Sequence, residues 1–168
     1  MEIKIRNIEE TDCKTISDSF KMQGWDKPVS QYENYLSEQA SGDRSVLLAF
    51  VDDDFAGYLT IKWQSYYPPF REMNIPEIMD LNVLIKHRNK GIATRLMDEA
   101  ELIVSKRSDK IGIGVGLTEV YGNAQVLYIK RGYIPDRYGI SYNERFLNHG
   151  DVTTVDDDLI LCFIKELK

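Results

Sequence analysis

The sequence has 168 residues, of which 43% are hydrophobic and 29% are charged, and its formal net charge at pH 7 is -6. These values are typical of a globular protein, and we predict a single domain over residues 1–168 with a substantial core. The acidic balance argues against general nucleic-acid binding and favours cationic partners such as amines. No apolar run approaches the roughly 18 residues that span a membrane, so no membrane partner is expected.

The cysteines give no sign of a metal or redox site. Cys13 and Cys162 are the only two, and neither belongs to a CxxC pair or a Cys/His pattern. We therefore expect no metal and two reduced thiols. The first ten residues contain no apolar signal core, and together these features predict a cytoplasmic protein.

The first part of the chain predicts a strand, two helices and a hairpin. Ser30 and Glu33 have the spacing of a capping box at the start of the second helix. The acidic turn at 52–54 separates two apolar runs, which predicts the hairpin. The expected elements are a strand at 2–6, helices at 11–23 and 30–39, and strands at 45–51 and 55–63.

The remainder alternates strands and helices. The helix expected at 90–106 has one apolar stripe made of Ile92, Leu96, Ala100 and Ile103. Hairpins mixed with strand–helix–strand crossovers imply an α/β or α+β sheet with helices on its faces. The other expected elements are a loop at 64–76, a buried strand at 77–85, a strand at 111–117, a helix at 121–131, a strand from 132, a polar connection at 138–157 and a strand at 159–167.

Three alternate glycines in the strand "IGIGVGL" leave one of its faces without side chains. Gly112, Gly114 and Gly116 lack the spacing of a dinucleotide fingerprint, and no P-loop pattern occurs elsewhere. Because alternate residues of a strand share a face, another group is expected to pack closely against these glycines.

The stretch "LIKHRNKGIATRL", residues 84–96, is basic within an acidic protein. Lys86, Arg88, Lys90 and Arg95 occur there without an acid among them. The stretch follows a strand and begins a helix, and a helix start offers unpaired N–H groups with a partial positive charge, which suits phosphate. Gly91 would let the backbone approach such a ligand. A solvated basic turn is the alternative.

These residues carry a resemblance to a known family. "RNKGIA", residues 88–93, resembles the Gln/Arg-x-x-Gly-x-Gly/Ala signature of the GNAT superfamily of acyl-CoA N-acyltransferases. "DLNVL" before it and "AQVLYIKRGY" after it extend the similarity, which is strongest from Glu77 to Tyr133. The resemblance implies an α/β fold with a central, mostly antiparallel twisted sheet, a splayed parallel strand pair and helices on both faces.

The resemblance also implies acetyl-CoA as co-substrate and a primary amine of a small molecule or peptide as acceptor, with direct attack in a ternary complex. The pantetheine arm would pair with the backbone of Leu81, Asn82 and Val83. Arg88 would open the loop that holds the pyrophosphate. The remaining cofactor-binding residues implied by the signature are Asn89, Lys90, Gly91, Ile92, Ala93 and Thr94.

Three residues are candidates for acid–base chemistry. The resemblance implies that Tyr128 protonates the leaving thiolate and that Glu77 is the base that deprotonates the amine. Asp80 is the other carboxylate on the strand, and in a regular strand it faces away from Glu77 unless a bulge intervenes. A water chain in place of a carboxylate base remains open. Tyr121 stands where the family often has Asn, so that contact is not carried over.

Other functions remain compatible with the sequence. A non-catalytic acyl-CoA-binding or sensing domain would keep the loop without the base and acid, and a nucleotide-binding regulatory module would also use a helix start. The loop aromatics could wall an acceptor pocket, or could simply cover the core; they are Trp25, Trp63, Tyr66, Tyr67 and Phe70. A homodimer is compatible with the sequence.

Overall fold

The computed structural model describes residues 1–168 and contains five α-helices and eight strands. The bounds in chain order are β1 Ile3–Asn7, α1 Asp12–Met22, α2 Val29–Ser41, β2 Arg44–Val51, β3 Asp54–Lys62, α3 Pro68–Glu72, β4 Glu77–Val83, α4 Ile92–Ser105, β5 Lys110–Gly116, α5 Gly122–Lys130, β6 Ile134–Tyr142, β7 Arg145–Phe146 and β8 Leu159–Glu166. Two short 3₁₀ turns cover Ile85–His87 and Glu119–Tyr121. None of the helices has the length and apolar character needed to cross a membrane.

The chain divides into two compact units. The first contains residues 1–63 and 78–103, and the second contains residues 64–77 and 104–168. Each unit has its own set of strands, described separately below. The single domain over residues 1–168 stays a prediction.

The first unit contains strands in the order β1-β2-β3-β4. β2 pairs antiparallel with both β1 and β3. Asp52 and Asp53 have φ values of 48° and 68°, and these two left-handed residues form the tight turn of the hairpin predicted at 52–54. The core packs α1 and α2 against the strands through Ile16, Phe20, Tyr32, Leu48 and Tyr58, which are all fully buried.

Helix α2 begins one residue earlier than predicted, and the capping box is wrong. Pro28 is the N-cap residue, and no side chain caps the helix. Proline has an extended conformation there, with φ at -67° and ψ at 151°, and its carbonyl accepts the first hydrogen bond, from Gln31. Ser30 therefore lies inside the helix.

The second unit contains strands in the order β5-β8-β6-β7, all paired antiparallel. Its core includes Tyr67, Phe70, Ile75 and Cys162. The bare glycine face of β5 is filled as predicted: the ring of Phe70 occupies the place of a Cβ at Gly112, and the ring of Tyr121 does so at Gly116.

Two predicted connections contain regular structure. The segment 64–76 includes α3, whose first residues Pro68 and Pro69 suit a helix start because proline lacks an N–H that a first turn would leave unpaired. The polar connection at 138–157 begins with the end of β6, where Ile140 lies opposite Leu161 of β8. The buried stripe of α4 ends with Val104, whereas Ile103 is half-buried.

Candidate functional site

The signature loop joins β4 to α4 within the first unit. β4 ends at Val83, and the N–H of Leu84 donates to the carbonyl of Ala56 at 2.9 Å. Asn89 and Gly91 then have φ values of 59° and 77°. No atom lies within 4 Å of where a Cβ at Gly91 would be. The left-handed backbone favours glycine there, and the absence of a side chain leaves the surface beside it open.

The start of α4 offers unpaired donors at this open surface. The carbonyl of Gly91 accepts the N–H of Arg95 at 3.0 Å, which is the first bond of the helix. The N–H groups of Ile92, Ala93 and Thr94 consequently have no acceptor one turn earlier. With 14 residues, α4 also places a partial positive charge at this end, so the loop has the geometry of an anion site.

The basic residues of this stretch have different partners. The Nζ of Lys86 lies 2.6 Å from the Oδ2 of Asp54. Arg88 donates to the carbonyl of Val83 at 3.3 Å, and its guanidinium lies 5.5 Å from the ring centre of Trp25. Lys90 is exposed and forms no ion pair. The charge of Lys86 is therefore compensated by Asp54, whereas Arg88 and Lys90 have no acidic partner.

The buried strand predicted at 77–85 is shorter and less buried than expected. Its residues from Met79 to Val83 are only half-buried, so Leu81, Asn82 and Val83 are partly accessible. Asp80 has a φ of 53°, which is rare for a residue inside a strand and breaks its alternation. The backbone at Asp80 therefore departs from the regular strand geometry that would make Asp80 and Glu77 face opposite ways.

The Asp80 carboxylate accepts hydrogen bonds from five side chains of the first unit. Its Oδ2 receives the hydroxyls of Tyr58 at 2.5 Å and Tyr35 at 2.8 Å, and the amide of Gln31 at 2.9 Å. Its Oδ1 receives the amide of Asn82 at 2.6 Å and the ammonium of Lys27 at 3.4 Å. These donors surround Asp80 with partial positive charge, and the ammonium of Lys27 is among them, so its carboxylate is a candidate site for a cation.

The tyrosines around Asp80 remain neutral donors. Burial, followed by the negative charge of Asp80, raises the pKa of both Tyr35 and Tyr58. The loss of a phenolic proton would place two anions side by side in a buried place.

Glu77 belongs to a cluster in the second unit. Its side chain is buried, and its Oε2 accepts the hydroxyl of Ser65 at 2.5 Å. The Ser65 oxygen in turn accepts the N–H of Tyr67 at 3.0 Å. Burial, followed by the charges of Glu77 and Asp136, raises the pKa of the Cys162 thiol. Cys162 is therefore held as a neutral thiol, and the carboxylates of this cluster are Glu77 and Asp136.

Tyr128 lies on α5 in the second unit and is buried. Its hydroxyl forms no hydrogen bond, and its ring centre lies 6.1 Å from that of Tyr133. Burial raises the pKa of Tyr128 to about 12. The phenol is consequently protonated throughout the neutral range and can act as a donor.

Tyr121 fills the place where the family often has Asn. Its ring covers Gly116, and its hydroxyl donates to the Oδ1 of Asp157 at 2.6 Å. Burial, followed by this hydrogen bond, raises the pKa of Tyr121 to about 12.

Several residues of both clusters were not found from the sequence. Gln31 and Tyr35 are four apart on α2 and therefore share a helix face, which was the available signal for the Asp80 cluster. No comparable pattern indicates Lys27 or Ser65. Among the loop aromatics considered as pocket walls, Tyr67 and Phe70 are core residues. No group of His, Cys, Asp and Glu side chains could hold a metal ion.

Comparison with known families identifies the class of protein. Residues 42–135 match the family model described as an acetyltransferase (GNAT) domain. Since this match covers more than half of the sequence, the chain belongs to the GNAT acetyltransferase family. No curated protein matches it in sequence.

Solved structures show the same fold. An N-acetyltransferase from Staphylococcus aureus Mu50 is 13% identical, with a TM-score of 0.73 and all of both chains covered. The PaiA N-acetyltransferase from Thermoplasma acidophilum, in complex with coenzyme A, is 19% identical, with a TM-score of 0.66 and 99% of each chain covered. The spermidine/spermine N-acetyltransferase SpeG from Vibrio cholerae is 17% identical, with a TM-score of 0.67, 99% of this chain and 95% of that chain covered. The mixed α/β GNAT fold predicted from the sequence is confirmed.

Proposed function

We propose that the protein is an N-acetyltransferase that transfers the acetyl group of acetyl-CoA to a primary amine of a small molecule or peptide, by direct attack in a ternary complex. The observation that carries this proposal is the open start of α4, where Gly91 has a left-handed backbone and Lys90 has no acidic partner. The net charge of -6 and the similarity to a spermidine/spermine N-acetyltransferase favour a cationic acceptor.

The cofactor roles follow from the loop and the end of β4. The N–H groups of residues 89–94 hold the diphosphate, Arg88 opens the loop, and the pantetheine arm pairs with the backbone of residues 81–83. A backbone N–H of Asn82 or Val83 donates to the oxyanion that forms when the amine attacks the thioester. These roles need the backbone of β4 to be accessible, and its half-buried residues support them.

The acid–base roles follow from the chemistry of the second unit. An amine arrives mostly as ammonium, so Glu77 takes its proton, directly or through water. The neutral phenol of Tyr128 protonates the departing thiolate. The buried thiols of Cys13 and Cys162 favour a reducing, cytoplasmic location.

The cofactor site is tested with the pair Gly91→Asp and Gly91→Asn. Both residues tolerate the left-handed backbone and have nearly the same size, so the difference between them isolates a negative charge beside the phosphates. Calorimetry with acetyl-CoA should give clearly weaker binding for Gly91→Asp than for Gly91→Asn. Equal affinities for both variants and the native protein would refute the phosphate loop.

The reaction is tested by thiol release from acetyl-CoA with a panel of polyamines, amino acids, aminoglycosides and peptides. When the concentrations of acetyl-CoA and the amine are both varied, double-reciprocal plots of the initial rates should intersect, since direct attack needs a ternary complex. Tight acetyl-CoA binding without thiol release for any amine would instead favour the non-catalytic acyl-CoA-binding domain.

A further inference from the structure

Lys27 places an ammonium group in a cage of one carboxylate and two aromatic rings. The cage is formed by Asp80, Phe20 and Tyr58, all in the first unit. The Nζ of Lys27 lies 3.4 Å from the Oδ1 of Asp80, and 5.5 and 5.8 Å from the ring centres of Phe20 and Tyr58. A carboxylate combined with aromatic faces at these distances is the chemistry that recognises a primary ammonium.

The cage holds Lys27 loosely. Its ammonium donates to the Tyr58 hydroxyl at 3.2 Å and to Asp80 at 3.4 Å, which are long for a charge-assisted hydrogen bond. The neutral donors Tyr35 and Asn82 approach Asp80 at 2.8 and 2.6 Å. A free ammonium, which is not tied to a backbone, could adopt a shorter geometry than the tethered one.

The backbone of Lys27 is held in place, which limits how closely its ammonium can approach Asp80. Lys27 lies in the connection between α1 and α2, and its carbonyl accepts the hydroxyl of Ser17 at 2.6 Å. The side chains of Lys27 and Asp80 remain 18% and 21% exposed, so the cage is accessible from solvent. An open groove of about 580 Å³ along α2 is lined in part by Gln31 and Tyr35, two of the Asp80 donors.

We propose that Lys27 is a tethered competitor, whose ammonium occupies the place that the primary ammonium of the acceptor takes when it binds. This inference rests on the proposed function for the identity of the acceptor, and it adds a residue that sets acceptor affinity. An acceptor must displace Lys27 from Asp80, so the native protein discriminates against amines that bind the cage weakly. Lys27 is a positioning residue in this scheme and has no part in the chemistry of transfer.

The test measures binding of n-butylammonium by calorimetry, without acetyl-CoA and at constant ionic strength. Lys27→Met removes the competing charge and keeps the apolar stem. Lys21→Met makes the same change of net charge at an exposed lysine of α1 that has no ion pair, and is the matched control. A tether of this kind gives an effective concentration in the millimolar range, so Lys27→Met should bind n-butylammonium about tenfold more tightly than the native protein.

Control variants and a neutral ligand test whether the gain depends on charge at the cage. Lys21→Met should bind like the native protein, n-butanol should bind to none of them, and Lys27→Met combined with Asp80→Asn should lose the gain. Equal affinity in native and Lys27→Met protein overturns the proposal, as does a gain that survives loss of the Asp80 charge. Lys27→Gln is measured in parallel, so that a folding defect in one variant does not decide the result.

Acetyl transfer then separates this inference from the function on which it rests. If transfer occurs, Lys27→Met should lower the acceptor KM about tenfold and leave the acetyl-CoA KM unchanged, as the same competition predicts. If no amine is acetylated by any variant, the proposed function fails, while the calorimetric result still decides whether Lys27 competes for an ammonium site.

Discussion

Asp80 and Glu77 are three residues apart on β4, and their carboxylates have different surroundings. Asp80 is partly exposed and accepts hydrogen bonds from five side chains, one of them the ammonium of Lys27. Glu77 is buried beside a neutral thiol and accepts the hydroxyl of Ser65. Both side chains end in a carboxylate and belong to the same strand, so neither property distinguishes them. The donors around each carboxylate do: Asp80 has the surroundings proposed for cation binding, and Glu77 has those proposed for proton transfer.

The largest effect is expected at Glu77. Glu77→Gln keeps the size of the side chain and removes the base, so the turnover should fall by about 10²–10⁴-fold near neutral pH. The loss should shrink as pH rises, because free amine accumulates and needs no base. Rates of native and variant protein across the pH range check this. A ratio that is constant with pH would remove Glu77 from the role of base, and full activity would move that role to Asp80 or water.

A second variant displaces the strand that carries both acids. A Cβ at Gly57 on β3 would collide with the carbonyl of Asn82 and would lie 3.0 Å from the Cα of Val83. Gly57→Ala should therefore lower the free energy of unfolding by about 1–3 kcal/mol, as overpacking does, and should weaken acetyl-CoA binding by moving the backbone of β4.

Gly122→Ala is the control for that variant. Gly122 is the first residue of α5, and an added Cβ there would have no atom within 4 Å. The free energy of unfolding of Gly122→Ala, measured by urea denaturation, should equal that of the native protein or exceed it by up to about 1 kcal/mol. If Gly57→Ala and the native protein have the same free energy of unfolding, the backbone of β4 can move away from the added methyl group without loss of stability.

Tyr128→Phe separates the acid from the base. Because thiolate is a good leaving group, its turnover should fall by at most about 10²-fold, the low end of acid–base effects. Burial raises the pKa of Tyr128 to about 12, so the phenol keeps its proton and the ratio of rates should stay constant up to about pH 10. This constancy contrasts with Glu77→Gln. An unchanged rate under chemistry-limited conditions would return Tyr128 to a packing role.

The smallest expected effect on turnover is at Asp80. Asp80→Asn replaces the carboxylate by a neutral amide. The loss of one charge-assisted interaction with the amine substrate should raise the KM for that amine by about tenfold or more. Turnover at saturating amine should fall far less than in Glu77→Gln. Initial rates over a range of amine concentrations separate the two parameters. A variant with the native KM and a turnover as low as that of Glu77→Gln would exchange the roles of the two acids.

Local features of the sequence explain what could be predicted. The order of strands and helices, the hairpin turn at Asp52–Asp53 and the loop around Gly91 all depend on neighbours in the chain or on the intrinsic preferences of residues. The bare face at Gly112 and Gly116 also follows from strand periodicity. These features define the family and the candidate cofactor loop.

Long-range contacts explain what could not be predicted. The donors to Asp80 from Tyr58 and Lys27 are 22 and 53 residues away in the chain, so no spacing rule connects them. The left-handed backbone of Asp80 is held by this network and not by a local preference for such a conformation within a strand. The helix α3 and the extension of β6 were missed because they gain stability from the packing of Phe70 and from pairing with β8 within the second unit.

The connection between α1 and α2 contacts the predicted cofactor loop as well as the Asp80 cage. Gln23 accepts the N–H of Ile85 at 3.0 Å, and Trp25 lies beneath the guanidinium of Arg88. Any ligand that fixes Arg88 therefore also restrains the segment that holds Lys27. The consequence is a coupling between the two substrates: if acetyl-CoA fixes Arg88, its binding and that of the amine should alter each other's affinity, and initial rates should show the KM of each substrate changing with the concentration of the other.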